Sequence, residues 1–269
     1  MDNRFDIDGA ITSITRFITG QLNRSGLSGY VVGLSGGIDS SLSAALAARA
    51  VGPEKVFGVM MPYKTSHAGS LDDANTLADQ LGIEHKMVEI TPMIDAYYET
   101  IDETMRIRAG NKMARERMSI LFDIAHAMDR LVLGTGNRTE VCLGYTTLFG
   151  DSACSINPIG ELYKTEVRLL AARLEVPQAI ISKPPSADLW TGQTDEGEIG
   201  VTYEEIDRLL KRLIDDGERS MATLEGEDFS QTDISRVVSL INRNAFKRRL
   251  APVAPLGKTG VPENIQLQE

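Results

Sequence analysis

Cysteine is nearly absent: Cys142 and Cys154 are the only two in 269 residues. With no CxxC pair, they suit neither a zinc ribbon nor a disulfide framework. Histidine is as scarce, and His67, His85 and His126 fall in neither a metal nor a triad spacing. No apolar run approaches the ~18 residues that span a bilayer. The N-terminal Met1–Asp8 stretch is acidic and has no apolar segment, so no signal peptide is expected and cytoplasmic residence is the default. Basic residues are outnumbered, 28 against 38 acidic, and the net charge of −10 argues against a surface built to hold nucleic acid. The Walker A pattern and G-x-G-x-x-G are missing as well. What is present is ordinary globular material, 42% hydrophobic and 25% charged, of a length that suits one α/β unit over 1–269.

Strands and helices alternate along the first half. Apolar positions at helical spacing run from 5 to 23. Tyr30–Leu34 reads as a buried strand, followed by a small-residue helix from Ser41 to Ala50. Further strands are expected at 56–61, 86–90 and 131–133, and helices at 69–81, 92–106 and 111–128. Beyond them, helices are expected at 163–174, 203–217 and 230–249. Asp195–Glu198 reads as part of a mobile acidic loop, and the tail after 251 as a surface strap. This alternation predicts a Rossmann-like parallel sheet with helices on both faces. Ligands bind such sheets beyond the carboxyl ends of the strands. The polar segments 35–40, 62–70 and 134–155 would share that edge.

The segment Gly33-Leu-Ser-Gly-Gly-Ile-Asp-Ser-Ser41 carries the chemistry. Glycines allow backbone N–H groups to approach a phosphate closely. A helix start near Ser40 adds a positive dipole end, and Ser35, Ser40 and Ser41 add hydroxyls. Asp39 would repel a phosphate unless a cation lay between them, which Mg²⁺ supplies. The plain alternative is a helix cap. The string resembles the PP-loop of the N-type ATP pyrophosphatases, which split ATP between the α and β phosphates. That group includes NAD, GMP, asparagine and argininosuccinate synthetases and several tRNA-thiolating enzymes.

Three further blocks narrow the acceptor. They are Gly110–Met118, Leu131–Glu140 with its continuation Gly144–Asp151, and Lys183–Asp188 followed by Gln193–Glu196 and Gly200–Tyr203. Together with the PP-loop, and in this order from about 5 to 250, they resemble the NAD synthetase family. Nothing in the chain resembles the nitrilase-like glutaminase domain of the glutamine-dependent members. The resemblance therefore implies an ammonia-dependent C–N ligase acting on deamido-NAD and ATP. A separate glutaminase as ammonia source is compatible with it.

The resemblance also implies roles. Gly33, Leu34, Ser35, Gly36, Gly37, Ile38, Asp39 and Ser40 would bind ATP, with Thr135, Lys164 and Ser186. Asp39 and Glu140 would hold Mg²⁺. Arg115, Phe246 and Lys247 would contact deamido-NAD. A homodimer is implied, with helices 92–106 and 111–128 as candidate interface elements; their apolar stripes are otherwise ordinary core. Leu148, Ser155, Ser186 and Phe246 stand where well-known bacterial members have lysine, aspartate, threonine and histidine.

The residues also have readings of their own. Lys164 can neutralise phosphate charge in the transition state, or be a solvated lysine at a helix start. Asp151, assigned here as catalytic with Asp39 and Lys164, would orient or deprotonate ammonium, or cap a turn. Arg117 reads as structural, Cys142 as a small core residue and His67 as a solvated loop histidine. A tRNA-thiolating enzyme would carry catalytic cysteines and a basic appendage. A non-catalytic nucleotide sensor would have lost Asp39, Glu140 or Lys164, and all three are present.

Overall fold

The computed structural model describes residues 5–99, 101–186, 194–227 and 229–254. Helix α1 (Ile7–Ser25) starts where the Asp6 carboxylate accepts from the Gly9 amide, and ends at Gly26 in the left-handed region. Strand β1 (Gly29–Gly33) then leads through the glycine turn into α2 (Ile38–Val51). Next come β2 (Val56–Met60), α3 (Ala68–Leu81), β3 (Glu84–Met87), α4 (Thr91–Tyr97), α5 (Arg106–Ala127) and β4 (Arg130–Leu133). The remainder is helical: α6 (Arg138–Leu143), α7 (Lys164–Arg173), α8 (Gln178–Ser182), α9 (Asp195–Ile199), α10 (Tyr203–Leu210), α11 (Met221–Gly226) and α12 (Gln231–Arg243).

The four strands form one parallel sheet in the order β3-β2-β1-β4, as the alternation implies. The chain moves outward from β1 to β3 and then returns to the other side of β1. The order therefore reverses between β1 and β4, and the segments leaving their carboxyl ends flank that crevice.

Strand alternation divides the core. Tyr30, Val32, Val56 and Met60 face a cluster made with α1, α2, α3, α7 and α8. Val31, Phe57, Val59 and Val132 face α4 and α5. A third cluster joins Leu143 and Tyr163 to α9–α12, through Tyr203, Ile206, Leu210, Ile234 and Val237. It ties the C-terminal helices to the elements that leave β4.

Several expectations shift. The third strand sits at 84–87, earlier than 86–90, because it is the exposed edge. There, pairing with β2 decides its position and the apolar residues after it do not: Ile90 is buried at the start of α4. Helix 92–106 divides into α4 and a 3₁₀ turn at Glu103–Met105. After Leu210 the expected helix 203–217 widens into a π turn over Lys211–Asp215. Helix 230–249 stops at Arg243, with a 3₁₀ turn over Ala245–Arg248. The expected mobile stretch at 195–198 is a helical turn, with Asp195 buried and the Thr194 hydroxyl as its cap. Positions 187–193 and the tail from 255 lie outside the described residues.

Candidate active site

Helix α2 begins at Ile38 and not near Ser40, so Asp39 belongs to its first turn. Gly37 is its N-cap and gives it no side-chain bond, which leaves the amides at the helix start unclaimed by a local cap. The serines organise the loop itself. The Ser35 and Ser40 hydroxyls lie 3.0 Å apart, the Gly37 amide donates to Ser35 Oγ at 3.2 Å, and the Ser41 hydroxyl donates to the Gly37 carbonyl at 2.8 Å. Gly36 is required twice over. Its φ is +73°, and a Cβ there would lie 2.1 Å from the Ser70 carbonyl oxygen at the start of α3.

Across the crevice, β4 ends at Leu133 and α6 starts three residues after Thr135, which is half-buried. Asn137 caps α6 in a reciprocal box. Its side chain accepts from the Glu140 amide at 3.0 Å, and Glu140 Oε2 accepts from the Asn137 amide at 3.2 Å. The same Asn137 Nδ2 donates to Asp39 Oδ1 at 2.9 Å. One buried residue thus joins two carboxylates about a hundred residues apart in sequence, Asp39 through its side-chain amide and Glu140 through its backbone amide.

Lys164 closes the group. Its Nζ lies 2.5 Å from Asp39 Oδ2 and 3.6 Å from Glu140 Oε1, and its side chain is 3% exposed. This is no solvated lysine. Burial works against its charge, but Asp39 and Glu140 outweigh that and hold its pKa above the ordinary lysine range. Burial first, and the charge of Asp39 second, push Glu140 up to about 8, with Lys164 opposing. Both carboxylates converge on one ammonium, at a point that already accepts a cation through hard oxygen donors. That fits Mg²⁺ held by two carboxylates and completed by phosphate oxygens and water. Among the described residues no group of three or more His, Cys, Asp or Glu could hold a metal alone.

The other expected site residues have partners of their own. Ser186 is exposed at the last described position before 187, and Lys183 just before it is anchored to Ser70 and Asp73, 3.0 Å from each. Arg115 on α5 donates to the Leu148 carbonyl at 3.1 Å. Phe246 is exposed. Lys247 donates to the Gly144 and Thr146 carbonyls at 2.8 and 2.7 Å, so it fastens the loop after α6. Asp151 caps a turn in that loop: Oδ1 accepts from the Thr147 amide at 2.8 Å and Oδ2 from the Thr146 hydroxyl at 2.5 Å. Ser155 Oγ accepts from the Val132 amide at 3.0 Å, a structural task. Arg117 donates to the Met61 carbonyl at 3.0 Å, as a structural residue would. His67 is an exposed loop histidine, as expected, and its Nδ1 also accepts from the Gly69 amide as the N-cap of α3. Both cysteines are unpaired and partly buried, and burial raises both thiols, which fits small packing residues better than nucleophiles.

Four residues near Lys164 were not singled out by the sequence reading. Asp195 is buried and takes the Tyr203 hydroxyl at 3.1 Å, while the Tyr203 ring lies 5.1 Å from Lys164 Nζ. Asn137 was legible as the first residue of an N-x-x-E capping pattern. Asp207 had no signal beyond its place in a helix.

The model of the NAD synthase family matches residues 10–251. The chain belongs to the NAD synthase family. The NH(3)-dependent NAD(+) synthetase of Fusobacterium nucleatum subsp. nucleatum is 46% identical over 90% of this chain and 94% of its own length. Among solved structures, an NMN synthetase from Francisella tularensis superposes with a TM-score of 0.82 at 34% identity, over 93% of this chain and 99% of that one. An NH3-dependent NAD synthetase from Campylobacter jejuni gives 0.79 at 34% identity, with the same coverage. The NAD synthase family's α/β architecture is thus the one observed.

Proposed function

We propose that the chain is an ammonia-dependent ligase that converts the nicotinate carboxylate of deamido-NAD to the amide of NAD, with ATP yielding AMP and pyrophosphate. The observation that carries this is the convergence of Asp39, Glu140 and Lys164 beside the 35–40 loop at the switch point, in a chain of this family. In the first step a carboxylate oxygen attacks the α-phosphorus, and pyrophosphate leaves. Loop amides and the Lys164 ammonium stabilise the charge that grows on the leaving group. When bound at Asp39 and Glu140, Mg²⁺ supplies charge neutralisation at the phosphates. In the second step ammonia attacks the adenylated carboxyl carbon and AMP leaves. Adenylation is needed because carboxylate oxygen is otherwise a very poor leaving group.

Thr135 and Ser186 complete the ATP site in this reading, and Arg115, Phe246 and Lys247 the dinucleotide site. Asp151 orients the incoming ammonium. The chain acts as one domain and as a homodimer through α4 and α5, which expose Tyr97, Ile107 and Phe122. The unpaired cysteines suit the reducing cytoplasm. No described helix is long and apolar enough to cross a membrane.

A second reading keeps every step and shortens the acceptor to nicotinate mononucleotide. It is favoured by the likeness to an NMN synthetase and by Lys247, whose ammonium is engaged with two carbonyls. The test is incubation with ATP, Mg²⁺ and ammonium, with deamido-NAD, with nicotinate mononucleotide, or with neither. Deamido-NAD-dependent NAD and AMP support the first reading, and faster turnover of the mononucleotide supports the second. AMP formation that needs neither acceptor sinks both.

A further inference from the structure

Asp207 is a carboxylate buried to 2% exposure on α10, one layer behind the reacting groups. Burying a charge costs several kcal/mol unless its oxygens are well satisfied, and an apolar residue of similar volume would stabilise a core more cheaply. Both oxygens here are in use. Oδ1 accepts from the Thr139 hydroxyl at 2.5 Å, and Oδ2 accepts from the Thr165 amide at 2.8 Å. The Thr139 hydroxyl in turn accepts from the Lys164 amide at 3.0 Å. Thr139 is fully buried and immediately precedes Glu140.

The start of α7 explains the arrangement. Its N-cap, Tyr163, offers no side-chain cap, so the amides of Lys164 and Thr165 need acceptors from elsewhere. A serine or aspartate at 163 would have capped the helix locally. The acceptors come instead from α6 and α10. That choice locks three helices together at the residue whose ammonium meets Asp39. Tyr203, one turn before Asp207 on α10, adds its ring 5.1 Å from the Lys164 ammonium.

We propose that Asp207 and Thr139 form a clamp that positions Lys164 and Glu140 against Asp39 for the adenylation step. Both are buried behind the reacting groups, so Asp207 is a positioning residue and Thr139 its relay. The clamp acts through Lys164 and Glu140, whose charges count most while pyrophosphate leaves, so its loss falls more on turnover than on ATP binding. This inference rests on the ligase reading above.

The experiment compares wild type with Thr139→Val, Thr139→Ser and Asp207→Asn, each at 25 °C and well below its measured Tm. Valine keeps the shape and removes the hydroxyl, and serine keeps the hydroxyl. A displacement near 1 Å at a reacting group costs on the order of a hundredfold in rate. Thr139→Val and Asp207→Asn are therefore expected to lose roughly ten- to a hundredfold in kcat, with a smaller change in KM for ATP. Thr139→Ser retains most of the turnover. A crystal structure of Thr139→Val is expected to show the Lys164–Asp39 contact opened beyond about 4 Å, the limit of an ion pair. A purely structural cap would lower Tm and leave kcat of the folded enzyme unchanged. Wild-type kcat in Thr139→Val, equal loss in Thr139→Ser, or an unmoved Lys164 in the crystal overturns the clamp. If Asp207→Asn fails to fold, the threonine pair decides. Inactive wild type overturns the ligase reading instead, and the crystal structure still judges the clamp.

Discussion

Replacing Glu140 with glutamine should stabilise the ligand-free protein, and increasingly so as pH rises. Glu140 has its pKa raised from 4.5 to about 8, by burial and then by Asp39. The folded state therefore binds a proton more tightly than the unfolded chain does. The stabilisation from that proton is fully present below about pH 4.5 and is lost as pH rises through about 8. At about 1.4 kcal/mol per tenfold change in proton affinity, the ceiling is about 5 kcal/mol. The Glu140 side chain is 19% exposed. Solvent screening on that side brings the expectation to about 3 kcal/mol. Glutamine resembles the protonated form, so the variant should match wild type near pH 5 and exceed it by about 3 kcal/mol near pH 9. For a chain of this size that is a Tm difference of roughly 6–12 °C. The assay is urea or thermal unfolding in EDTA from pH 5 to 9, read as the difference between the two proteins so that common titrations cancel. A difference that does not change with pH would refute the reasoning. The same variant should lose metal-dependent turnover, since an amide cannot supply the carboxylate.

The remaining predictions concern the loop and its carboxylate. Asp39→Asn should keep the fold, because Asn137 can still donate to the amide oxygen, while turnover falls by about a thousandfold, the scale of several kcal/mol of lost charge stabilisation; circular dichroism and steady-state rates check both halves, and unaltered activity would refute the metal role. Gly36→Ala should destabilise by about 1–3 kcal/mol and raise KM for ATP, since a methyl would meet the Ser70 carbonyl at a left-handed φ; an unchanged unfolding midpoint would contradict this.

The sheet was legible because its strands are short, buried and separated by helical periods. Tyr30 to Leu34 and Leu131 to Leu133 carry that signal directly. The edge strand was not, since Glu84–Met87 is mostly exposed and takes its place from pairing with β2. The break after Tyr97 and the π turn after Leu210 also escaped, because no glycine or proline stands at 98–102 or 211–216 to mark them. At the site, Asp39, Glu140 and Lys164 were readable as motif members, and the structure brings them within an ion pair's reach of one ammonium. The supporting residues were less legible. Asn137 shows its helix cap in the N-x-x-E spacing but not its bond to Asp39, and Asp207 meets Thr139 and Thr165 from a helix far along the chain, where no local spacing announces the contact. Lys247 was readable as a motif member too, and its contacts with the Gly144 and Thr146 carbonyls, about a hundred residues away, were not.

The central claim is that the acceptor carboxylate is adenylated before ammonia attacks. Deamido-NAD labelled with ¹⁸O in its nicotinate carboxylate tests it most directly, with the products analysed by mass spectrometry after turnover with ATP and ammonium. The account predicts one ¹⁸O atom in the phosphate of AMP and none in pyrophosphate. Label in pyrophosphate, or unlabelled AMP formed together with NAD, would contradict it.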